Sequence, residues 1–176
     1  MQLREKDMTD RELLARAREV RGHCRRAGCL FIVNDRPDIA IASEADGVHL
    51  GQDDLPISQV RRMMGHRALI GVSTHSPEQV REAVESGADY IGMGPTFPST
   101  TKSFQEYPGS ELIRRAMQMT SIPAFAIGGI TSANLPQVLA AGGTRVAVSA
   151  AIVQSEEPRR EAAILSLMLK GAKAEG

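Results

Sequence analysis

Alternation is what most constrains this chain. Short apolar runs rich in β-branched residues occur at Leu30 to Val33, Gly47 to Leu50, Leu69 to Val72, Tyr90 to Met93, Ala124 to Ile127 and Arg145 to Val148. Each is followed by polar residues or glycine. Between the runs, apolar residues recur at helical spacing, as at Leu13, Ala17, Val20 and Cys24, at Val80, Ala83 and Val84, and at Leu135, Val138 and Leu139. Strands that are apolar along their whole length, with helices between them, predict a parallel sheet covered by helices, and right-handed crossovers then bring every strand's carboxyl end to one side. Helix boundaries agree with this reading. Thr9 with Glu12 forms a capping box, Ser76 with Pro77 and Gln79 a second and Thr131 with Asn134 a third, while Gly28, Gly65, Gly87 and Gly142 stand near the stops.

With Gln2 to Lys6 counted as a strand there are seven strands, each followed by a helical pattern. A closed (β/α)8 barrel of the TIM type needs eight. The expectation is therefore an α/β fold of TIM-barrel type, one domain over residues 1–176, lacking its first β/α unit, with 170–176 as a frayed tail. Because the chain opens inside a strand, with no turn or cap before Met1, the absent unit is expected upstream. Without it the sheet has two unpaired edges. Either the start lies upstream, or the barrel closes by association as a homo-oligomer, or the chain folds poorly.

Twenty-one basic residues balance 21 acidic ones, and six aromatics include no tryptophan. Neither a field for nucleic acid or anionic membrane nor a set of base-stacking platforms is present. Cys24 and Cys29 are not spaced as C-x-x-C and belong to no zinc-ligand cluster, which fits small apolar fillers in a reducing compartment. No apolar run approaches the roughly 18 to 20 residues of a membrane helix, and the first residues are polar. A cytoplasmic protein acting on small molecules is expected.

Five polar clusters follow the strands: Gln2-Leu3-Arg4-Glu5-Lys6, Asn34-Asp35-Arg36, Gly51-Gln52-Asp53-Asp54, Ser99-Thr100-Thr101-Lys102 and Gly128-Gly129-Ile130-Thr131. Cations, hydroxyls and two separated carboxylates gathered on one rim suit a diphosphate held through a divalent metal. Strand alternation would set Gln2, Arg4 and Lys6 on one face, where a guanidinium and an ammonium make an efficient pair for phosphate; a solvated edge strand is the plainer alternative. Asp35 and Asp54 each follow a strand, where an aspartate is commonly a helix cap. As neighbours on parallel strands they would come within range of one Mg²⁺, and both readings stand at this point.

Ser76 is explained as a cap, which leaves Ser73 as the hydroxyl for a ligand; His75 and His49 stay outside the catalytic set. Gly92-Met93-Gly94-Pro95 lacks the third glycine of a dinucleotide fingerprint. Ser99 to Lys102 reads either as an anion-binding loop or as a plain polar one. Gly129 follows the penultimate strand and Val148-Ser149 the last, where barrels often bind phosphate through backbone N–H groups, although tight turns also call for glycine.

Taken in order, Q-L-R-E-K, N-D-R, G-V-H-L-G-Q-D-D-L-P, G-V-S-T-H-S, A-D-Y-I-G-M-G-P-T-F-P-S-T-T-K, A-I-G-G-I-T and V-A-V-S-A-A resemble thiamine phosphate synthase across nearly the whole chain. The resemblance implies an eight-stranded (β/α) barrel that couples hydroxymethylpyrimidine diphosphate to thiazole phosphate, releasing pyrophosphate. It assigns Gln2, Arg4, Lys6, Asn34, Ser73 and Lys102 to the pyrimidine diphosphate, and Asp35 and Asp54 to Mg²⁺. Ser99, Thr100, Thr101, Gly129, Val148 and Ser149 go to the thiazole phosphate. The implied chemistry is dissociative: diphosphate leaves, a pyrimidine-stabilised methylene cation forms and the thiazole nitrogen captures it. No nucleophilic side chain is required, and Arg4, Lys6 and Lys102 act by neutralising the leaving group. Two departures are visible. Ser99 stands where the family more often has threonine, and residues 103–109 differ from the usual continuation.

Two rival readings are a related thiazole tautomerase and a truncated, non-catalytic phosphate-binding barrel. The second aspartate of G-Q-D-D and the T-T-K loop argue against the tautomerase. The complete set of ligand-type residues argues against the inert barrel.

Overall fold

A computed structural model describes residues 1–98 and 108–174. It resolves two compact units, Met1–Ser73 with Glu85–Tyr90, and Thr74–Val84 with Ile91–Gly176.

In the first unit, β1 (Gln2–Leu3), β2 (Ile32–Asn34), β3 (Gly47–Leu50) and β4 (Leu69–Thr74, through Ser73) pair in parallel in chain order. They are joined by α1 (Asp10–Ala27), α2 (Pro37–Ala42) and α3 (Ile57–Met64). Helix α1 starts at the foreseen capping box: Thr9 accepts the N–H of Glu12, and the Glu12 carboxylate accepts the N–H of Thr9 at 2.9 Å. It stops at Gly28, whose φ of 61° is left-handed and therefore suits a residue without Cβ. Leu13, Ala17 and Cys24 are buried on one face of that helix. Phe31, Val33, Val48, Leu50, Val60 and Ile70 are the largest fully buried side chains of this core.

In the second unit, β5 (Tyr90–Met93, from Ile91), β6 (Ala124–Ile127) and β7 (Val146–Ala147) also pair in parallel. Its helices are α4 (Pro77–Glu85, through Val84), α5 (Gly109–Met119), α6 (Leu135–Ala140), α7 (Ala150–Val153) and α8 (Pro158–Ala174). Ile91, Met93, Ile113, Ala126, Leu135 and Val138 are its buried centre.

Three strands begin and end where the sequence places them: β3, β5 and β6. β1 is shorter than expected, ending at Leu3 instead of Lys6. Its partner explains why: Leu3 pairs with Val33, and one residue after Asn34 the backbone of Asp35 turns into the left-handed region at φ 60°, so Glu5 and Lys6 have no ladder to join. Helix α8 carries on to Ala174, so residues 170–174, expected to fray, are helical. On this helix Leu165 is buried, and Leu165 and Leu169 line a cavity together with Phe125 and Val146.

Candidate active site

The strand exits of the first unit line up by register. Leu3 pairs with Val33, Asn34 with His49, and Leu50 with Val72. Continuing these ladders one residue brings Arg4 out beside Asn34, Asp35 beside Leu50, and Gly51 beside Ser73. Five of the residues expected to hold the diphosphate and its metal, Arg4, Asn34, Asp35, Asp54 and Ser73, thus lie at or just beyond the carboxyl ends of four successive parallel strands. Gln2 lies within β1 and is exposed; Lys6 lies in the bend that leads to α1 and is also exposed. The single alternating face expected for Gln2, Arg4 and Lys6 is not formed, because the strand has ended before Arg4.

Neither aspartate is a helix cap. Helix α2 opens with Pro37 at its first position, which moves the N-cap to Arg36, and helix α3 has Pro56 at its N-cap. Asp35 instead occupies a left-handed turn, a conformation that costs a non-glycine residue roughly 1 kcal/mol and that aspartate tolerates better than most. Its N–H donates to the His49 carbonyl at 2.8 Å, which ties the exit of β2 to β3. Asp54 closes the turn after β3: its Oδ2 accepts the Gly51 N–H at 2.6 Å. A Cβ at position 51 would approach that same oxygen to 3.1 Å, so glycine keeps the turn tight.

Arg36, between the two, is committed elsewhere. Its guanidinium forks onto Asp38 at 2.9 and 2.7 Å and reaches Asp10 at 2.7 Å. These bonds, Asp38 first, hold Arg36 firmly protonated, and the same guanidinium holds the Asp38 carboxyl below the usual carboxylate range. The pair braces the start of α2 against the start of α1.

His49, left outside the catalytic set by the sequence, touches Ser73, one of the expected substrate residues. It is buried, with Nε2 2.9 Å from the Ser73 hydroxyl and Nδ1 3.2 Å from the Tyr90 hydroxyl. Gln52 holds the other side of Ser73, donating to its carbonyl at 2.6 Å. One signal was available: in Gly47-Val48-His49-Leu50, a polar ring interrupts a strand that is buried throughout. His75 by contrast is structural. Its ring engages the Gly94 carbonyl, and its N–H donates to Gln79 at 2.7 Å. The foreseen Ser76–Gln79 box is therefore half-formed: Ser76 accepts the Gln79 N–H at 3.3 Å, but the Gln79 side chain is spent on His75.

In the second unit, Gly128 and Gly129 have φ of 99° and 62°. The segment after β5 lies directly on them, with Thr96 N–H donating to Ile127 and Phe97 N–H to Gly128; a Cβ on Gly129 would stand 2.5 Å from the Pro98 carbonyl. Close approach of chain accounts for these glycines without a ligand. The third expected box is inverted: the Asn134 side chain accepts from Thr131 N–H and donates to the Gly129 carbonyl, both at 2.8 Å, latching the loop after β6. Val148 and Ser149 follow β7, Ser149 being the N-cap of α7 without a side-chain capping bond. Ser99, Thr100, Thr101 and Lys102 lie outside the described residues.

Parallel strands alternating with helices, with the ligand-type residues of the first unit at the strand carboxyl ends, define a protein of the TIM-type (β/α) barrel class. A solved structure titled thiamine phosphate pyrophosphorylase, from Pyrococcus furiosus, superposes with a TM-score of 0.89 at 34% identity, covering 97% of this chain and 82% of that one. The model of the family described as thiamine monophosphate synthase matches residues 1–152, and the chain belongs to that family. Curated thiamine-phosphate synthases resemble it closely: the protein from Gloeobacter violaceus is 48% identical over 93% of this chain, and that from Synechocystis sp. 44% over 96%. The alignments cover 48% and 49% of those relatives, so the chain spans about half their length.

Proposed function

We propose that this chain carries out Mg²⁺-dependent coupling of hydroxymethylpyrimidine diphosphate with thiazole phosphate, giving thiamine phosphate and pyrophosphate. The observation that supports it most directly is the placement of Asp35 and Asp54. Both follow adjacent parallel strands at the same end of the first unit, and neither serves as a helix cap. Among the described residues no three His, Cys, Asp or Glu side chains gather as a metal cluster. Two carboxylates completed by water and phosphate oxygens is the donor set that suits Mg²⁺, which keeps several waters and takes substrate phosphates as ligands.

When bound, the ion supplies charge neutralisation to the departing diphosphate. Arg4 offers its fork of donors to the same anion, with Lys6 and Lys102 as further cations. Asn34 and Ser73 supply neutral hydrogen bonds that orient the pyrimidine. The segments with Ser99, Thr100, Thr101, Gly129, Val148 and Ser149 belong to the thiazole phosphate in this reading. No side chain forms a covalent bond, so the protein's contribution is alignment and electrostatics. The chain is further read as a single barrel domain in the cytoplasm, open to homo-oligomer formation; no helix among the described residues is long and apolar enough to cross a membrane.

The test is to mix the purified chain with both phosphorylated substrates and measure pyrophosphate with and without Mg²⁺. Metal-dependent release is expected. Substrate binding without turnover would instead indicate an inert phosphate-binding barrel, and metal-independent rearrangement of a thiazole carboxylate phosphate would indicate a tautomerase.

A further inference from the structure

Three side chains from distant parts of the first unit form one hydrogen-bonded chain. His49 and Gly71 are register partners on β3 and β4. Gly71 leaves the space that the Tyr90 ring fills: a Cβ there would stand 2.0 Å from Tyr90 Cζ. Tyr90 thereby reaches His49, the two rings tilted by 35° with centroids 5.4 Å apart, and its hydroxyl lies 3.2 Å from Nδ1. The opposite ring nitrogen lies 2.9 Å from Ser73 Oγ, at the strand end where the diphosphate residues emerge.

We propose that His49 is a positioning residue: Nδ1 accepts the Tyr90 hydroxyl proton, Nε2–H donates to Ser73 Oγ, and the Ser73 O–H is thereby turned outward to donate to the pyrimidine diphosphate. The inference rests on the synthase reading for the identity of that substrate, and on the geometry alone for the hydrogen-bond chain.

The direction proposed is the one of the two possible hydrogen-bond directions that serves the substrate. Burial, with the neighbouring Asp89 charge adding to it, pushes the Tyr90 phenol upward, so the phenol keeps its proton at neutral pH and has it to give to Nδ1. A neutral imidazole carries one N–H, and accepting on Nδ1 places that N–H on Nε2. Ser73 then receives a hydrogen bond and keeps its own proton to give. The opposite tautomer would aim the Ser73 proton at His49 and present only lone pairs outward. Diphosphate oxygens and pyrimidine ring nitrogens are acceptors, so only the first arrangement serves them. With Gln52 holding the Ser73 carbonyl, both ends of the serine are fixed.

The experiment has two arms. In the first, the full chain labelled with ¹⁵N-histidine is measured by long-range ¹H–¹⁵N correlation, the His49 signals being assigned by their loss in His49→Gln. The neutral Nε2–H tautomer is expected, and Tyr90→Phe, which keeps the ring over Gly71, should weaken that preference. An Nδ1–H tautomer in the unaltered chain overturns the proposal.

The second arm is kinetic. His49→Leu should raise KM for the pyrimidine diphosphate about tenfold while that for thiazole phosphate stays within about twofold, and His49→Gln, whose amide donates from a similar place, should recover most of the loss. Combined with Ser73→Ala, His49→Leu should cost nothing further; additive losses overturn the proposal. If the unaltered chain shows the Nε2–H tautomer but neither binds nor converts the pyrimidine diphosphate, the synthase reading falls, and the substrate named here falls with it.

Discussion

In the first unit, Asp46 and Asp89, which precede strands, are held differently from Asp35 and Asp54, which follow them. At the amino ends, Asp46 accepts from Arg21 and from the Phe31 N–H, each at 2.7 Å. Asp89 repeats the device two strands later, accepting from Arg61 at 2.6 Å and from the Ile70 N–H at 2.7 Å. In each case a carboxylate just before one strand satisfies a backbone donor at the start of the neighbouring strand, and an arginine from the helix that leads into that neighbouring strand neutralises it. At the carboxyl ends, Asp35 sits in a left-handed turn and Asp54 closes a loop, and neither does the capping work for which aspartate is commonly used. Acids at one end hold strands and helices together. At the other end the backbone is strained at Asp35, and Asp54 closes its own turn. In barrels of this class the carboxyl ends carry the chemistry and the amino ends the stability, which is the division the proposed role of Asp35 and Asp54 puts to the test.

The comparison breaks most visibly if acids at the carboxyl ends prove structural. Asp35→Asn and Asp54→Asn, which keep the turn geometry, should each lower turnover by about 10²- to 10³-fold while shifting stability by less than about 1 kcal/mol. Pyrophosphate release and urea denaturation check the two halves; a large loss of stability with normal turnover per folded molecule would reverse the assignment. Asp46→Ala should do the opposite, costing about 2 to 4 kcal/mol in urea denaturation with turnover per folded molecule unchanged. That loss should exceed the one from Asp89→Ala, because Asp46 and Arg21 are drier, at 24% and 18% side-chain exposure against 35% and 19% for Asp89 and Arg61. Arg21 Nε is already buried without a hydrogen-bond partner among the described residues, so losing Asp46 strands the guanidinium further. Thr9→Ala, at the N-cap of α1, should cost about 1 kcal/mol through the lost cap.

The smallest expected effect is on pH. Hydrogen bonds from Thr9 hold the Glu12 carboxyl below its ordinary range, and Arg36 does the same for Asp38. A folded pKa below the unfolded one means that stabilisation is fully present above about pH 4 and fades as pH falls through the folded value. Acid titration monitored by circular dichroism should therefore show a shallower loss of stability in Thr9→Ala than in the unaltered chain.

Much of this was legible in local sequence. The apolar runs locate β3, β5 and β6 to the residue, and Thr9-Glu12 and Gly28 mark both ends of α1, because capping and left-handed turns depend on neighbours within a few positions. Pro37 and Pro56 also hinted that Asp35 and Asp54 are not caps, since proline favours the first helical position or precedes it. The length of β1 was not legible: it depends on where its partner leaves the ladder, and Asp35 decides that from 32 residues away. The link from His49 to Ser73 and Tyr90 was not legible for the same reason. A lone histidine in a strand acquires meaning only from what register and an empty glycine position bring beside it.

The order of residues by itself determined the alternating strands and helices, and hence that the polar residues following the strands of the first unit share one side of it, because periodicity and handed crossovers are local rules. Only the folded chain decided that His49 joins Ser73 to Tyr90, that Gly71 makes room for the link, and that the glycines after β6 yield to chain pressed against them. Those contacts join residues up to 41 positions apart, where the outcome is set by strand register and excluded volume.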